Sequence, residues 1–280
     1  MSLSVTFFGT RGSVPTPGPG TIRFGGNTAS VLVESGDARL VIDAGTGVRA
    51  LGRRLESGAP LDLTILLSHT HWDHIQGLPF FAPLHAAGNR IRILGPRQPD
   101  GSLAGVLASQ MAPAVFPVPL DALGARIEIG EVGEAGFDLA GLRIEPIPLC
   151  HPGATLGFSI REMGGGPALT YMTDNELGAA TAETRGRFVQ SLRDTVVLIH
   201  DAMYFDDQIL SRRGWGHSSA VQAVQLAADA GVKRLVLFHH DPDHDDIAIE
   251  RLGAEANAAV VRLGVALDVT IAVESDTIRC

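Results

Sequence analysis

Ser68-His69-Thr70-His71-Trp72-Asp73-His74 follows directly on the apolar run Leu63-Thr64-Ile65-Leu66-Leu67. Three imidazoles and a carboxylate fall within six positions of a chain that has just left a strand. Such a turn delivers nitrogen and oxygen donors to one point, a set that suits Zn²⁺ or a similar borderline divalent ion. Read as ordinary turn residues, the same side chains would crowd like dipoles together with no ion to satisfy them.

The same event recurs along the chain. His151 follows an apolar run over 144–149, Asp174 follows 169–172, and His239, His240 and Asp241 follow 235–238. Taken singly, each of the ten histidines reads as a surface or hydrogen-bonded residue. Repetition at strand ends changes that reading, because strand ends sharing one edge of a sheet converge on a common cleft. The four clusters are therefore expected to meet.

Short β-branched and aliphatic runs bounded by Gly, Pro, Asp or Asn predict strands at 4–8, 30–34, 40–42, 63–67, 91–94, 127–129, 142–147, 157–160, 169–172, 196–199, 235–238 and 269–273. Helices are fewer. One is capped by Ser218 or Ser219, runs through 220–228 and stops at Gly231, and a second spans 247–263 with apolar residues at helical spacing. Many strands with helices inserted between them imply layered sheets covered by helices. The Gly- and Pro-rich segment 16–20 reads as a loop, since strands resume within a few residues. One domain over 1–280 is expected.

With 45% apolar residues the chain can bury a sizeable core. The N-terminus lacks a basic region followed by an unbroken apolar segment, and no stretch reaches membrane-spanning length, so a cytoplasmic protein without a membrane contact is expected. Two cysteines are too few for a disulfide framework. Cys150, beside His151, reads as a small buried side chain, with a thiolate ligand as the alternative. The net charge of −9 argues against a broad electrostatic footprint for nucleic acid. An anionic substrate would have to be attracted locally.

His-x-His-x-Asp-His after a strand, then a single His, a single Asp and a strand-terminal His, resembles the metallo-β-lactamase fold of metal-dependent hydrolases. The likeness runs from Phe8-Gly9-Thr10-Arg11-Gly12-Ser13 and Gly26-Asn27-Thr28 through Ile42-Asp43-Ala44-Gly45 to Phe238-His239-His240-Asp241. It implies an α/β fold, a four-layer αββα sandwich with two divalent metal ions at the sheet edge. By that likeness His69, His71 and His151 hold one ion, Asp73, His74 and His239 the other, and Asp174 bridges. His240 competes with His239 for the last position; His239 is favoured because it directly follows the strand, which leaves His240 behind the ligand or facing substrate. Asp43 is better placed to orient a ligand histidine than to bind metal. Two ions sharing an oxygen ligand, about 3.5–4 Å apart, would lower the pKa of a bridging water and make it the nucleophile. Zinc is the default for so many imidazoles, with manganese or iron compatible.

Two smaller motifs narrow the branch. Leu198-Ile199-His200-Asp201-Ala202 is similar to the His-Glu-Ala segment of the transfer-RNA 3′-processing endonucleases, with Asp for Glu, and Gly216-His217-Ser218-Ser219 is similar to their Gly-His-Ser-Thr segment. Asp73, Asp201 and His217 are the candidate catalytic residues. Asp201 would hold the His217 imidazole and favour its protonated form, letting it donate to a phosphoryl or leaving oxygen. The chain departs from those endonucleases in lacking a Gly- and basic-rich arm between His74 and His151. That interval instead holds the apolar segment 111–120, expected to line the cleft mouth or to pack against a second subunit in a homodimer. With the acidic balance, this points away from transfer RNA and towards a small anionic phosphodiester, a cyclic nucleotide being one instance. The rival reading is an ester, thioester or lactone hydrolase with the same metal centre; a non-catalytic metal-binding sensor is a second. A β-lactamase is disfavoured because Asp174 stands where the zinc-dependent lactamases carry Cys. Oxygen-reducing di-iron chemistry is disfavoured because His71 stands where those relatives usually carry Glu.

Overall fold

The computed structural model describes residues 3–56, 58–99, 101–166 and 168–280. All twelve predicted strands are present within a residue or two at most ends, and Phe137–Leu139 and Thr277–Arg279 add one more to each of two sheets. The first sheet has the order β14 (Thr277–Arg279), β1 (Ser4–Gly9), β2 (Ser30–Ser35), β3 (Ala38–Ile42), β4 (Asp62–Leu66), β5 (Arg90–Gly95), β6 (Arg126–Glu131). The second runs β13 (Asp268–Ile271), β12 (Arg234–Phe238), β11 (Thr195–Asp201), β10 (Ala168–Met172), β9 (Leu156–Glu162), β8 (Leu142–Pro148), β7 (Phe137–Leu139).

Period-two alternation explains why these sheets are covered on both faces. In β12, Val236 and Phe238 face the core between the sheets, while Leu235 and Leu237 face the helices outside. The inner layer joins Phe7, Val31, Ile42 and Leu66 of the first sheet to Phe158, Tyr171, Ile199 and Phe238 of the second. Each fully buried aliphatic or aromatic side chain of this layer contributes about 1.5–3 kcal/mol over an exposed one.

The helices form the two outer layers. On the first sheet lie α1 (Val48–Leu55), the short α2 (Trp72–Ile75) and α3 (Ala82–His85), and α4 (Leu103–Gln110), burying Leu51, Leu84 and Leu107 against Leu63, Ile65 and Ile93. On the second lie α5 (Ala182–Ser191), α6 (Ala220–Asp229) and α7 (Asp246–Leu263), burying Phe188, Leu226 and Leu252. Of the two serines expected to cap α6, Ser219 does so: its hydroxyl accepts from the Gln222 N–H while Gln222 reaches back to the Ser219 N–H. The apolar segment 111–120 packs largely on the first sheet, with Met111, Phe116, Val118 and Leu120 in its outer core and Val115 exposed. The architecture is the expected αββα sandwich. Among the described residues no helix is long and apolar enough to cross a membrane.

Strand direction places the site. β3 to β6 are parallel to one another, as are β10 to β13, so their carboxyl ends gather at one edge of each sheet. The sequence anticipated one shared sheet edge. The donors instead come from both sheets and meet across the cleft between them.

Candidate metal centre

His69 leaves the end of β4, His151 the end of β8, Asp174 the end of β10 and His239 the end of β12, while Asp73 and His74 ride on α2 with His71 as its cap position. The chain turns sharply to aim these groups back over the sheet ends. Asp174 at φ 50°, His239 at φ 61°, Asp43 at φ 60° and Ser13 at φ 62° all adopt the left-handed conformation. Few non-glycine residues tolerate it, and such residues concentrate where function over-determines the backbone.

Two groups of donor atoms result, each gathered within 4.8 Å: His69, His71, His151 and Asp174, and Asp73, His74, Asp174 and His239. Asp174 belongs to both. Its Oδ1 lies 3.1 Å from His74 Nε2 and 3.2 Å from His239 Nε2, and its Oδ2 lies 3.7 Å from Nε2 of both His69 and His151. His71 Nδ1 faces His151 Nε2 at 2.9 Å, and Asp73 Oδ2 is 3.2 Å from His239 Nε2. The seven residues singled out in the sequence thus stand together.

The donor set fits a pair of divalent cations. His69 Nε2 is buried without a hydrogen-bond partner. Burial, above all, pushes His69, His71 and His151 below the usual imidazole range, so they offer lone pairs. Burial also opposes charge on Asp73 and Asp174, yet the surrounding imidazoles hold both carboxyls well below their usual range. At His74 burial is outweighed by Asp174, Asp73 and Asp43, which keep a proton there. A metal ion would take the place of that proton.

Groups behind the donors fix their orientation. Asp43 Oδ2 accepts from His74 Nδ1 at 2.8 Å and from Tyr171 OH at 2.8 Å, and its Oδ1 accepts from the Ser68 N–H at 2.7 Å. With its proton on Nδ1, His74 turns Nε2 to the cluster. The His151 Nδ1 likewise donates to the Gly216 carbonyl at 2.9 Å, leaving Nε2 for the cluster. Gly216, at φ +87°, lies so close that a Cβ would fall on the His151 ring. The loop after β1 supplies a further brace: the Ser13 N–H donates to Asp73 Oδ2 at 2.7 Å, and Gly12 comes so close to the His239 imidazole that a Cβ would fall on its ring.

Gly12→Ala is therefore expected to displace the His239 ring, because a methyl at Gly12 has no space short of it. A shift of about 1 Å in a reacting group costs on the order of 10²-fold in rate. The expected outcome is that loss with Tm changed by only a few degrees, checked by hydrolysis rate and thermal unfolding side by side. Unchanged activity would remove Gly12 from the site.

A third group, Asp201, His217 and His239, adjoins the first two. His217 Nδ1 bonds Asp201 Oδ2 at 2.6 Å, and its ring stacks on His239 with centroids 5.0 Å apart. Asp201 is fully buried and also accepts from the Met203 N–H at 3.1 Å and the Ser218 N–H at 3.3 Å. Burial disfavours a charged His217, but Asp201 outweighs it and raises the imidazole to about 9. Register explains the meeting: Asp201 pairs with Phe238, the residue before His239.

Other residues stand apart. His240 does not face substrate: it is buried, bonds the Ala272 carbonyl through Nε2 at 3.1 Å and packs edge-on to Phe24. It points away because the left-handed turn at His239 carries the chain on to pair with Arg11. Cys150 is a free thiol outside the three donor groups. The sequence reading missed Glu176, a buried carboxylate that accepts from the Gly214 and Gly216 N–H groups at 2.9 Å each and so pins the loop before His217. Its only signal was position, two residues past Asp174.

Residues 38–240 match the family model of the β-lactamase superfamily domain. A ribonuclease Z of Halorubrum lacusprofundi is 28% identical over 281 residues, covering 85% of this chain and 86% of that protein. Among solved structures, a diphosphatase from the PhnP family superposes with a TM-score of 0.70 at 18% identity, covering 100% of this chain and 98% of the other. Human tRNase Z, short form, superposes with a TM-score of 0.67 at 22% identity, covering 98% of each chain. The two structural likenesses establish the fold.

Proposed function

This chain belongs to the β-lactamase superfamily and is a metal-dependent hydrolase, and we propose that the bond it breaks is a phosphodiester. His69, His71, His151 and Asp174 would hold one divalent ion, and Asp73, His74, His239 and the shared Asp174 the second, with zinc the ion that so many imidazoles favour and manganese or iron compatible. When bound, such a pair supplies Lewis acidity to a water and to a phosphoryl oxygen.

The observation that carries the reading is the Asp201–His217 pair. Asp201 occupies Nδ1 of His217 and favours the cation, which leaves Nε2–H free for a substrate beside His239. A phosphodiester expels an alkoxide, which needs a proton as the bond breaks. A thiolate leaves without one, since thiols ionise near neutrality, at a pKa of about 8.5. A buried carboxylate devoted to keeping one imidazole charged therefore favours an alkoxide over a thiolate leaving group. Among substrates that expel an alkoxide, the imidazolium charge favours an anionic phosphodiester over a neutral carboxylic ester or lactone. Asp201 is a positioning residue here, and His217 the acid.

A small anionic phosphodiester, such as a cyclic nucleotide, is the proposed substrate, supported by the acidic balance of the chain and the missing basic arm. The relatives named for RNA processing favour a second reading, a transfer-RNA 3′ end at the same centre. Metal-loaded protein offered an aryl phosphodiester, an aryl thioester, a cyclic nucleotide and a 3′-extended precursor transfer RNA separates these. Turnover of the thioester alone would sink the proposal; rapid cleavage of the precursor would move the substrate from small ester to RNA.

His217→Ala supplies the second test. Loss of a positioned acid costs about 10²–10⁴-fold where the leaving group needs a proton. The expected loss is on the order of 10²-fold for an alkyl phosphodiester and much smaller for a p-nitrophenyl ester, with metal content unchanged. Equal losses on both esters would deny His217 the role of acid.

A further inference from the structure

The chain has two tryptophans, and both are exposed, Trp72 at 65% and Trp215 at 55%, next in the chain to residues of the site. Trp72 follows His71 directly, and Trp215 precedes Gly216, whose carbonyl receives the His151 Nδ1–H. His71 and His151 face each other at 2.9 Å. Both indoles are thus tethered within one residue of groups that meet at a single point. A large aromatic surface left in water beside a polar site signals a ligand with a flat apolar face.

Trp215 is held, not loose. The Arg212 guanidinium lies 4.6 Å from its ring centroid and 5.6 Å from that of Tyr204, and Tyr204 meets the His217 ring edge-on at 6.0 Å. An array of His217, Tyr204, Arg212 and Trp215 therefore leads from the proposed acid out to solvent. Glu176 clamps the backbone on both sides of Trp215 through the N–H groups of Gly214 and Gly216. A pre-fixed indole loses little entropy when a ring settles on it. Arg212 also brings positive charge to the mouth of an otherwise acidic protein.

We infer that Trp215, backed by Arg212, is the stacking platform for the nucleobase of a nucleotidyl phosphodiester, and that Trp72 lines the same mouth. The inference rests on the phosphodiesterase reading and sharpens it: selectivity comes from one base and not from a long polyanion. Stacking tolerates any base, since each has a π face. Acyl chains and simple alkyl phosphodiesters offer none.

Two measurements test it on metal-loaded protein. In Trp72→Phe the remaining indole is Trp215, and its fluorescence is expected to be quenched saturably by thymidine 5′-monophosphate and not by ribose 5-phosphate. The preference for the p-nitrophenyl ester of thymidine 5′-phosphate over methyl p-nitrophenyl phosphate is expected to fall about tenfold in Trp215→Ala and to survive in Trp215→Phe. The two esters share a leaving group, so their ratio reports the nucleoside alone. An unchanged ratio, or equal quenching by ribose 5-phosphate, overturns the platform. Selective quenching without turnover of either ester would strike the phosphodiesterase reading and leave the platform standing.

Discussion

Asp174→Ala is expected to reduce phosphodiester hydrolysis to background and to lower metal content below two ions per chain. The residue is the one donor common to both groups, with Oδ1 turned to His74 and His239 and Oδ2 turned to His69 and His151. No neighbour can replace it. Asp73 lies on the far side with its Oδ2 already committed to the Ser13 N–H and His239, and Cys150 stands outside the donor groups. Cutting the carboxylate away also leaves an imidazole cluster with one anion fewer to balance it. Metal analysis after purification without chelator, beside an aryl phosphodiester assay, checks the expectation. Two tightly held ions and wild-type turnover in this variant would mean that the centre is organised around something other than Asp174.

Much of this was readable in advance, and the reasons are particular. β4 and β12 announce themselves because their apolar residues serve two layers at once, so Leu63-Thr64-Ile65-Leu66-Leu67 and Leu235-Val236-Leu237-Phe238 read as buried strands without further help. The donors stand at strand ends, where a break in the apolar pattern shows them. α6 and α7 are long and capped by Ser219 and Asp245. By contrast α1, though Val48, Leu51 and Leu55 fall on one face, is only eight residues long and follows Gly47 with no side-chain cap, and α5, capped by Thr181, buries only Phe188 and so shows little apolar stripe.

What stayed hidden depends on tertiary contact. Nothing in Gly12 or Gly216 says that an imidazole lies against it, and a left-handed φ at Asp174 or His239 is imposed by the folded turn and not by residue type. The expectation of a single sheet edge failed for a related reason. Strand periodicity shows that a strand is covered on both faces but not which sheet it joins, so the sharing of donors between two sheets emerges only from pairing. The neighbouring choice of His239 over His240 rests on one residue of register, a slip that turns a side chain from the cleft to the Ala272 carbonyl.

Asp43 separates stability from metal binding, and its two substitutions are expected to part company. The carboxylate is fully buried and receives the Ser68 N–H and hydroxyl, the Tyr171 hydroxyl and the His74 Nδ1–H. Asp43→Ala leaves all of these without an acceptor, and its φ of 60° is one that alanine adopts less readily than aspartate. Breaking a buried charged pair costs about 3–5 kcal/mol, on the order of 10 °C in Tm for a chain of this size. Asp43→Asn keeps the shape and can still accept from the Ser68 N–H, so its loss in Tm is expected to be smaller. Its amide N–H, however, points where His74 Nδ1–H now donates. The imidazole then has to accept at Nδ1 and carry its proton on Nε2, the atom aimed at Asp73, Asp174 and His239. Metal affinity is accordingly expected to fall by about 10–100-fold in the asparagine variant, the usual cost of losing a partner behind a ligand. Thermal unfolding of the metal-free variants, with zinc titration of each, distinguishes the two effects. Wild-type zinc affinity in Asp43→Asn would show that the His74 tautomer is set elsewhere.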